Sequence, residues 1–364
     1  MGDRANGPAG DEVQVLDGGA EAFPRMLAAI EGARASVHLE VYAFALDATG
    51  GRFVDALSAA ARRGVRVRVV VDGIGSALDG RRIEALLGSA GVRVRVYHPL
   101  AALLLGRLAR NHRKLLLVDE EVAFVGGINV GDEYRGGGGK PAWADLAAEV
   151  RGPACAWLAE RLRSRGVPPL HGPVRLMLSG IGGGRPLRHR YLKAIGAARR
   201  SVRLAHGYFL PDRRLVRTIT AAARRGVEVV LLLPGKSDIP LAATVASRLY
   251  GRLLRAGVRI HEWERSVLHA KVAVMDGERL LLGSFNLDPL SLANLETLLE
   301  VQLPDAVRAG EAWIARHVEG ARPVLAGEVA SRSALHRRLL DLVGSWVVRV
   351  ARRVGRLLGR SQGE

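Results

Sequence analysis

The stretch NHRKLLLVD, residues 111–119, is repeated as LHAKVAVMD at residues 268–276, and this repeat decides the fold. In each copy a lysine stands two residues after a histidine, and an aspartate stands five residues after the lysine. Because alternate residues of a strand point to one face, the histidine and lysine of each copy are predicted to lie side by side. The second copy indicates one active site assembled from two similar half-chains.

The chemistry of the repeat fits a phosphate diester. One histidine can attack phosphorus while the other protonates the departing alkoxide. Two lysines supply positive charge where charge develops on the phosphoryl oxygens. The aspartates could orient the imidazoles, as in a triad, or pair with the lysines and shape the site. Because lysine already supplies the charge, we expect no metal and no other cofactor. The candidate catalytic residues are His112, Lys114, Asp119, His269, Lys271 and Asp276.

A wider repeat surrounds the motifs. SVHLEVYAFALD (36–47) matches SVRLAHGYFLPD (201–212), and AARRGVRVRVVVDG (60–73) matches AARRGVEVVLLLPG (222–235). Runs of strand-forming residues alternate with segments of helical spacing that end at a glycine. This alternation predicts an α/β fold in which helices cover a mixed or parallel sheet. The expected divisions are a first domain, a second domain and a C-terminal tail, at residues 12–165, 166–325 and 326–364.

The composition points to an anionic partner. The chain has 364 residues and a formal net charge of +18, which favours nucleic acid or an acidic lipid surface as the partner. An arginine-rich composition that comes from a GC-rich genome would also raise the charge. Its single cysteine, Cys155, excludes an intrachain disulfide and a multi-cysteine metal site. The first 14 residues lack the apolar segment of a signal peptide. No run approaches the roughly 20 apolar residues of a membrane-spanning helix, so we expect a soluble or peripheral protein.

Each motif is followed by a glycine-containing turn that carries an asparagine. The first turn is VGGIN, ending at Asn129, and the second is LGSFN, which contains Ser284 and ends at Asn286. Both asparagines are candidate neutral donors to a phosphoryl group.

With two HxKx4D motifs, the chain resembles the phospholipase D superfamily over roughly residues 12–305. The resemblance implies two α-β-α domains packed about a pseudo-twofold axis, a covalent phosphohistidine and no metal. It also implies that His112 is the nucleophile and His269 the general acid.

Within that superfamily, GSFNLDPLSLANLETLLEV (283–301) is similar to bacterial cardiolipin synthases, in particular to the shorter branch without N-terminal membrane helices. HLEVYAF (38–44), GYFLPD (207–212) and WADLAAEVRGPA (143–154) resemble the same branch. The resemblance implies a set of substrate- or phosphate-binding residues, which are Asn129, Asn286, Ser284, Glu40, Tyr208 and Glu296.

Two segments are candidates for contact with lipid. Residues 335–360 carry apolar residues at helical spacing with arginines off that stripe, which predicts a basic amphipathic helix on an anionic membrane. Residues 98–114 are apolar and turn basic towards the first motif, as a lipid-facing lip would. Each could instead pack on the protein's own core. We expect a peripheral protein at the cytoplasmic face of a bacterial inner membrane.

These features predict an enzyme that transfers a phosphatidyl group from phosphatidylglycerol to a second phospholipid or alcohol. The alternatives are a phospholipase D hydrolase, a nuclease of the same superfamily, and a binding protein with an inactive site. An aromatic content of only 5% leaves few stacking platforms for single strands and disfavours the nuclease. Two intact motifs disfavour the inactive protein. No feature indicates the oligomeric state.

Overall fold

The computed structural model describes residues 10–99, 101, 106, 108–137, 139–164, 166–237 and 246–327. The elements of the first half are β1 (Glu12–Asp17), α1 (Gly18–Glu31), β2 (Ser36–Val41), α2 (Ala48–Arg62), β3 (Arg66–Asp72), α3 (Gly80–Ser89), β4 (Arg93–Tyr97), β5 (Leu115–Val118), β6 (Val122–Gly126), a short 3₁₀ helix (Asp132–Tyr134), β7 (Leu146–Arg151) and α4 (Pro153–Arg163).

The second half repeats this succession of elements. It contains β8 (Val174–Leu178), α5 (Arg185–Ala197), β9 (Ser201–His206), α6 (Arg213–Arg224), β10 (Glu228–Pro234), α7 (Tyr250–Leu254), β11 (Arg259–Trp263), β12 (Lys271–Met275), β13 (Arg279–Gly283), β14 (Thr297–Val301), α8 (Pro304–Glu319) and β15 (Arg322–Pro323).

The two sheets have the same strand order. The first runs β1-β7-β6-β5-β2-β3-β4, and the second, taken from β8, runs β8-β14-β13-β12-β9-β10-β11 with β15 added at the end. In each sheet three neighbouring strands are parallel, β2-β3-β4 or β9-β10-β11. The remaining pairs are antiparallel. The prediction of two similar α/β halves is therefore confirmed, and of the two sheet types expected, mixed or parallel, both sheets are mixed.

Three apolar cores separate four layers. One core packs α1 and α2 on the outer face of the first sheet, and another packs α5 and α6 on the outer face of the second. The third lies between the sheets, where Leu117 of β5 and Val272 of β12 belong to one cluster. Leu116, pointing the opposite way, belongs to the outer core. Because the central strands are buried on both faces, they read as continuous apolar runs such as LLLV.

Aspartates cap the helices that follow the first parallel strand of each sheet. Asp47 accepts a hydrogen bond from Gly50 N at the start of α2, and Asp212 accepts from Arg214 N and Leu215 N at the start of α6. Side-chain oxygens at this position satisfy backbone N–H groups that the helix leaves unpaired. The repeated ALD and LPD sequences thus begin corresponding helices.

The strands of the first sheet all precede residue 152, and those of the second all follow residue 173. We retain 12–165 and 166–325 as proposed domain bounds. In the part of the chain that the structure describes, no helix is both long and apolar enough to cross a bilayer. The helix predicted at 335–360 lies outside the described residues.

Candidate active site

The histidines and lysines of the repeat meet where the two halves pack together. His112 and Lys114 lead into β5, while His269 precedes β12 and Lys271 is its first residue. All four side chains are buried. Lys114 Nζ donates to the carbonyl oxygen of His112 at 2.8 Å, and Lys271 Nζ lies 2.8 Å from His269 Nδ1. The predicted juxtaposition of histidine and lysine therefore occurs in both halves.

Each imidazole contacts a carboxylate from the opposite half. His112 Nδ1 lies 3.1 Å from both carboxylate oxygens of Glu296. His269 Nδ1 lies 2.6 Å from Asp145 Oδ2. Glu296 directly precedes β14 and Asp145 directly precedes β7, so the two carboxylates occupy corresponding positions in their sheets. A carboxylate at Nδ1 orients an imidazole and leaves Nε2 for chemistry, as in a catalytic triad.

Backbone hydrogen bonds hold these pairs in place across the interface. His112 N donates to Leu295 O at 2.9 Å, and His269 N donates to Ala144 O at 2.9 Å. Each histidine is thus bonded to the residue that immediately precedes its carboxylate partner. The packing of the halves, rather than either half alone, fixes the geometry of both pairs.

The two carboxylates differ in their electrostatic state. Burial raises the pKa of Glu296 to about 8, although the charge of Lys114 and the hydrogen bond from Ser284 act in the opposite direction. Burial would also raise the pKa of Asp145, but the charge of Lys271 and the hydrogen bond from His269 lower it below its ordinary value. At neutral pH Asp145 is therefore ionised and Glu296 is largely protonated.

Burial and positive charge suppress protonation of both histidines. Burial, with the charges of Lys114 and Lys271, lowers the pKa of His112 well below 6.5. Burial and Lys271 lower the pKa of His269 to about 4, against the hydrogen bond to Asp145, which raises it. Two buried lysines suit the binding of an anion, which in turn favours their charged form, and a bound anion would restore proton affinity to His269.

Aromatic rings enclose both pairs. The ring of Tyr42 lies 5.0 Å from that of His112, centroid to centroid, and Tyr208 lies 6.0 Å from His269, both edge-on. Lys114 Nζ stands 5.1 Å from the Tyr42 ring centre and Lys271 Nζ 5.9 Å from that of Tyr208, within the range of a cation–π contact. Tyr134 and Trp143 also pack against His269. Apolar ring surface around buried charges lowers the local dielectric constant, which strengthens the interactions between those charges.

The aspartates of the repeat bind backbone N–H groups, which corrects both roles considered for them, orienting an imidazole or pairing with a lysine. Asp119 accepts hydrogen bonds from the backbone N–H groups of residues 34–36 at 2.7–2.8 Å. Asp276 accepts from those of residues 199–201 at 2.7–3.2 Å. Five residue steps of about 3.3 Å each along the strand separate them from the lysines. Both adopt a left-handed backbone, with φ of 52° and 57°, and anchor the turn between a helix and a strand.

Two of the three turn residues predicted to bind phosphate make hydrogen bonds to neighbouring groups of the protein. Asn129 accepts from Ala43 N at 3.1 Å and donates to the Tyr134 hydroxyl at 2.7 Å. Ser284 Oγ donates to Glu296 at 2.5 Å, which supports that carboxyl group against His112. Asn286 is buried, and its Oδ1 has no donor partner among the described residues.

Glu40 contacts the residues that flank the histidine of the first motif. It contacts Asn111 at 3.0 Å and Arg113 at 3.3 Å, the residues on either side of His112. It also contacts His38 at 3.0 Å. Burial would raise the pKa of Glu40, but the His38 hydrogen bond and the charge of Arg113 lower it to about 2. The predicted binding residue is thus an ionised anchor for the histidine loop.

The sequence reasoning did not select Asp145 as a site residue. It lies in WADLAAEVRGPA, directly before a strand, as Glu296 does in the other half. Aligning the two halves through β7 and β14 would have found it. Among the described residues no group of three or more His, Cys, Asp or Glu side chains is arranged to hold a metal ion.

Comparisons with known proteins show the family and the fold. Cardiolipin synthase B of Salmonella typhimurium is 35% identical over 316 residues, covering 80% of this chain and 76% of that protein. Cardiolipin synthase B of Escherichia coli K12 is 34% identical over 311 residues, covering 79% of this chain and 75% of that protein. The crystal structure of phosphatidylserine synthase from Haemophilus influenzae matches with a TM-score of 0.73 over 94% of both chains at 12% identity, which shows a shared fold.

The family described as cardiolipin synthase, PLD-like domain, matches residues 26–134 and 191–318. Each matched range contains one copy of the His–Lys repeat. The chain therefore belongs to the cardiolipin synthase family of phospholipase D-like enzymes.

Proposed function

We propose that the enzyme transfers a phosphatidyl group from phosphatidylglycerol to the hydroxyl of a second phospholipid or alcohol, with cardiolipin as the product when the acceptor is phosphatidylglycerol. The observation that carries the proposal is the pair of buried His–carboxylate contacts made across the halves, His112 with Glu296 and His269 with Asp145. Each pair presents one imidazole nitrogen to a site with buried lysines, which suits a phosphate diester.

In the first half-reaction, Nε2 of His112 attacks the phosphorus of the diester. The bond between phosphorus and the glycerol head-group oxygen breaks, and His269 gives its proton to that oxygen. Free glycerol leaves, and the phosphatidyl group remains bound to His112. Lys114 and Lys271 offset the negative charge on the phosphoryl oxygens as it grows.

In the second half-reaction, the head-group hydroxyl of another phosphatidylglycerol attacks the same phosphorus. His269, now neutral, accepts the hydroxyl proton, and the bond between phosphorus and His112 breaks. Cardiolipin leaves with both histidines returned to their starting states. Water in place of the lipid hydroxyl would give phosphatidic acid, so the acceptor decides between transfer and hydrolysis.

The unlike carboxylates support the assignment of roles. A nucleophile must be neutral, and His112, which has a pKa well below 6.5, faces a largely protonated Glu296. A general acid must hold a proton, and the ionised Asp145 beside His269 stabilises an imidazolium there. The anionic substrate adds negative charge and raises the pKa of His269 from about 4 towards neutrality.

A lipid product assay tests the proposal. Purified enzyme is incubated with phosphatidylglycerol vesicles, and the lipids and released glycerol are quantified. We expect cardiolipin and glycerol in equal amounts and no product from a His112→Ala variant. Phosphatidic acid alone would make the enzyme a hydrolase. Cleavage of single-stranded DNA with no lipid product would make it a nuclease, the second reading of the net charge of +18.

We further propose that the enzyme acts as a peripheral protein at the cytoplasmic face of a bacterial inner membrane, where phosphatidylglycerol is available. The excess of lysine and arginine supports attraction to an anionic leaflet.

A further inference from the structure

The exposed apolar side chains are unevenly distributed. In the described part of the chain six large apolar residues are exposed, and four of them lie on loops that hydrogen bonds connect to the segment leading to His112. The four are Leu78, Leu108, Ile181 and Leu290; the other two are Leu86 and Leu325. Leu78 is the extreme case, with 95% of its surface accessible. Exposed apolar groups collected at one place mark an interaction surface.

Hydrogen bonds link the loops of the second half to the approach to His112. Arg110 N donates to Asn294 Oδ1 at 3.0 Å, four residues from Leu290 along its loop. Gly182 N, next to Ile181, donates to Ala293 O at 3.0 Å in that same loop. Leu108 lies two residues before Arg110. Three of the four side chains therefore belong to neighbouring loops.

The loop that carries Leu78, in the first half, is also hydrogen-bonded to the segment around His112. Asn111 N donates to Asp72 Oδ2 at 2.8 Å, at the start of that loop. Ser76 Oγ donates to Tyr42 O at 3.2 Å, and the Tyr42 ring packs on His112. Each half thus contributes two exposed apolar side chains beside the candidate active site.

Positive charge accompanies these side chains. Arg81 and Arg82 are exposed shortly after Leu78, and Arg185 is exposed shortly after Ile181. Apolar side chains that project among arginines fit an anionic lipid surface, where the former enter the acyl boundary and the latter meet phosphate. Nucleic acid would use the arginines but leave the leucines exposed.

We propose that Leu78, Leu108, Ile181 and Leu290, named here the apolar rim, insert into an anionic phospholipid surface and hold the mouth of the active site against it. The proposal rests on the proposed function, because it assumes that the diester arrives in a bilayer. The mechanism then needs no lipid to cross open water, since the rim places the membrane beside His112.

The test compares two double variants of the full chain. Leu78→Asp/Leu290→Asp changes the rim, and Leu86→Asp/Leu325→Asp is the matched control, with one substitution in each half and the same change in charge. Flotation with phosphatidylglycerol vesicles measures binding. We expect the rim variant to bind about tenfold more weakly or worse, and the control to bind like wild type. Equal binding by all three proteins, or equal loss in both variants, would overturn the proposal.

A second readout separates docking from catalysis. With a short-chain phosphatidylglycerol held below its micelle concentration, the rim variant should keep wild-type turnover. Loss of that turnover would mean that the rim serves the chemistry, which would overturn docking. If vesicle binding is lost in the rim variant but wild type forms no phosphatidyl-transfer product, docking stands and the proposed function fails.

A fluorescent label locates insertion independently of any other membrane contact. The only cysteine, Cys155, is buried, so Leu78→Cys and Leu86→Cys can each be labelled with an environment-sensitive dye. On phosphatidylglycerol vesicles the label at residue 78 should shift to the blue, and that at residue 86 should not. An unchanged spectrum at residue 78 would contradict insertion.

Discussion

Two histidines in matching sequence motifs occupy unlike surroundings. Asp145 is ionised beside His269, whereas Glu296, with a pKa of about 8, is mostly neutral beside His112. Burial is the largest influence on both carboxyl groups, but at Asp145 the charge of Lys271 and the hydrogen bond from His269 together outweigh it, whereas at Glu296 the charge of Lys114 and the hydrogen bond from Ser284 do not. A site with repeated motifs can in this way assign nucleophile and acid to different copies.

Asp145→Asn should lower kcat about 10²- to 10⁴-fold, because a neutral amide cannot stabilise the imidazolium of His269. Initial rates of cardiolipin formation measure the effect, and circular dichroism verifies the fold. Asp119→Asn, which changes the aspartate of the motif itself, should leave kcat within about twofold. A larger loss from Asp119→Asn than from Asp145→Asn would contradict the assignment.

Glu296→Gln should change the pH dependence of stability. The pKa of Glu296 is raised from 4.5 to about 8 in the folded protein, so its contribution to stability is complete below 4.5 and is lost as pH rises through 8. The unfolding temperature of wild type should therefore fall relative to that of the variant between pH 4.5 and 8. Parallel curves over this range would show that Glu296 is ionised in the fold.

At the scale of elements, strand pairing explains which parts of the motif could be predicted. Because side chains alternate in direction along an extended chain, each histidine leading into β5 or β12 lies beside its lysine. This could be predicted from the sequence. The sequence did not suffice for Asp119 and Asp276, because their partners are backbone groups at residues 34–36 and 199–201. Those contacts exist only after β2 pairs with β5 and β9 pairs with β12.

Asp276→Ala should destabilise the protein by about 1–3 kcal/mol, because it leaves backbone donors of the helix–strand turn without their acceptor. The kcat of the folded fraction should be unchanged. Denaturant unfolding measures the free energy, and the exposed Glu278→Ala, which removes only a surface ion pair, should cost less than about 0.5 kcal/mol. An inactive but stable Asp276→Ala would contradict a structural role.

Gly127→Ala should lower kcat by displacing Asp145. A Cβ at residue 127 would come within 2.2 Å of Asp145 Oδ1, so the carboxylate must move from His269. Gly51 lies inside α2 with nothing within 4 Å of its added Cβ. Gly51→Ala should therefore keep full activity and gain about 0.5–1 kcal/mol of stability. Equal kcat values for the two variants would show that Asp145 tolerates the shift.

On the scale of the whole molecule, the active site belongs to neither half. Each half supplies the histidine of one pair and the carboxylate of the other, and the core between the sheets holds them together. The duplication was predictable from the repeated segments, and the α/β class, with a mixed or parallel sheet, was predictable from sequence periodicity. The pairing of each histidine with a carboxylate from the opposite half was not predictable. It depends on how the two sheets pack face to face, which no local sequence pattern encodes.

The histidine that carries the covalent intermediate can be identified directly. Enzyme is mixed with phosphatidylglycerol, denatured at neutral to mildly alkaline pH so that both the acid-labile phosphorus–nitrogen bond and the acyl esters survive, digested and mapped by mass spectrometry. We predict a phosphatidyl adduct on His112 in wild type and no adduct in the His112→Ala variant. An adduct on His269 would reverse the two roles, and transfer to cardiolipin without any histidine adduct would contradict the account.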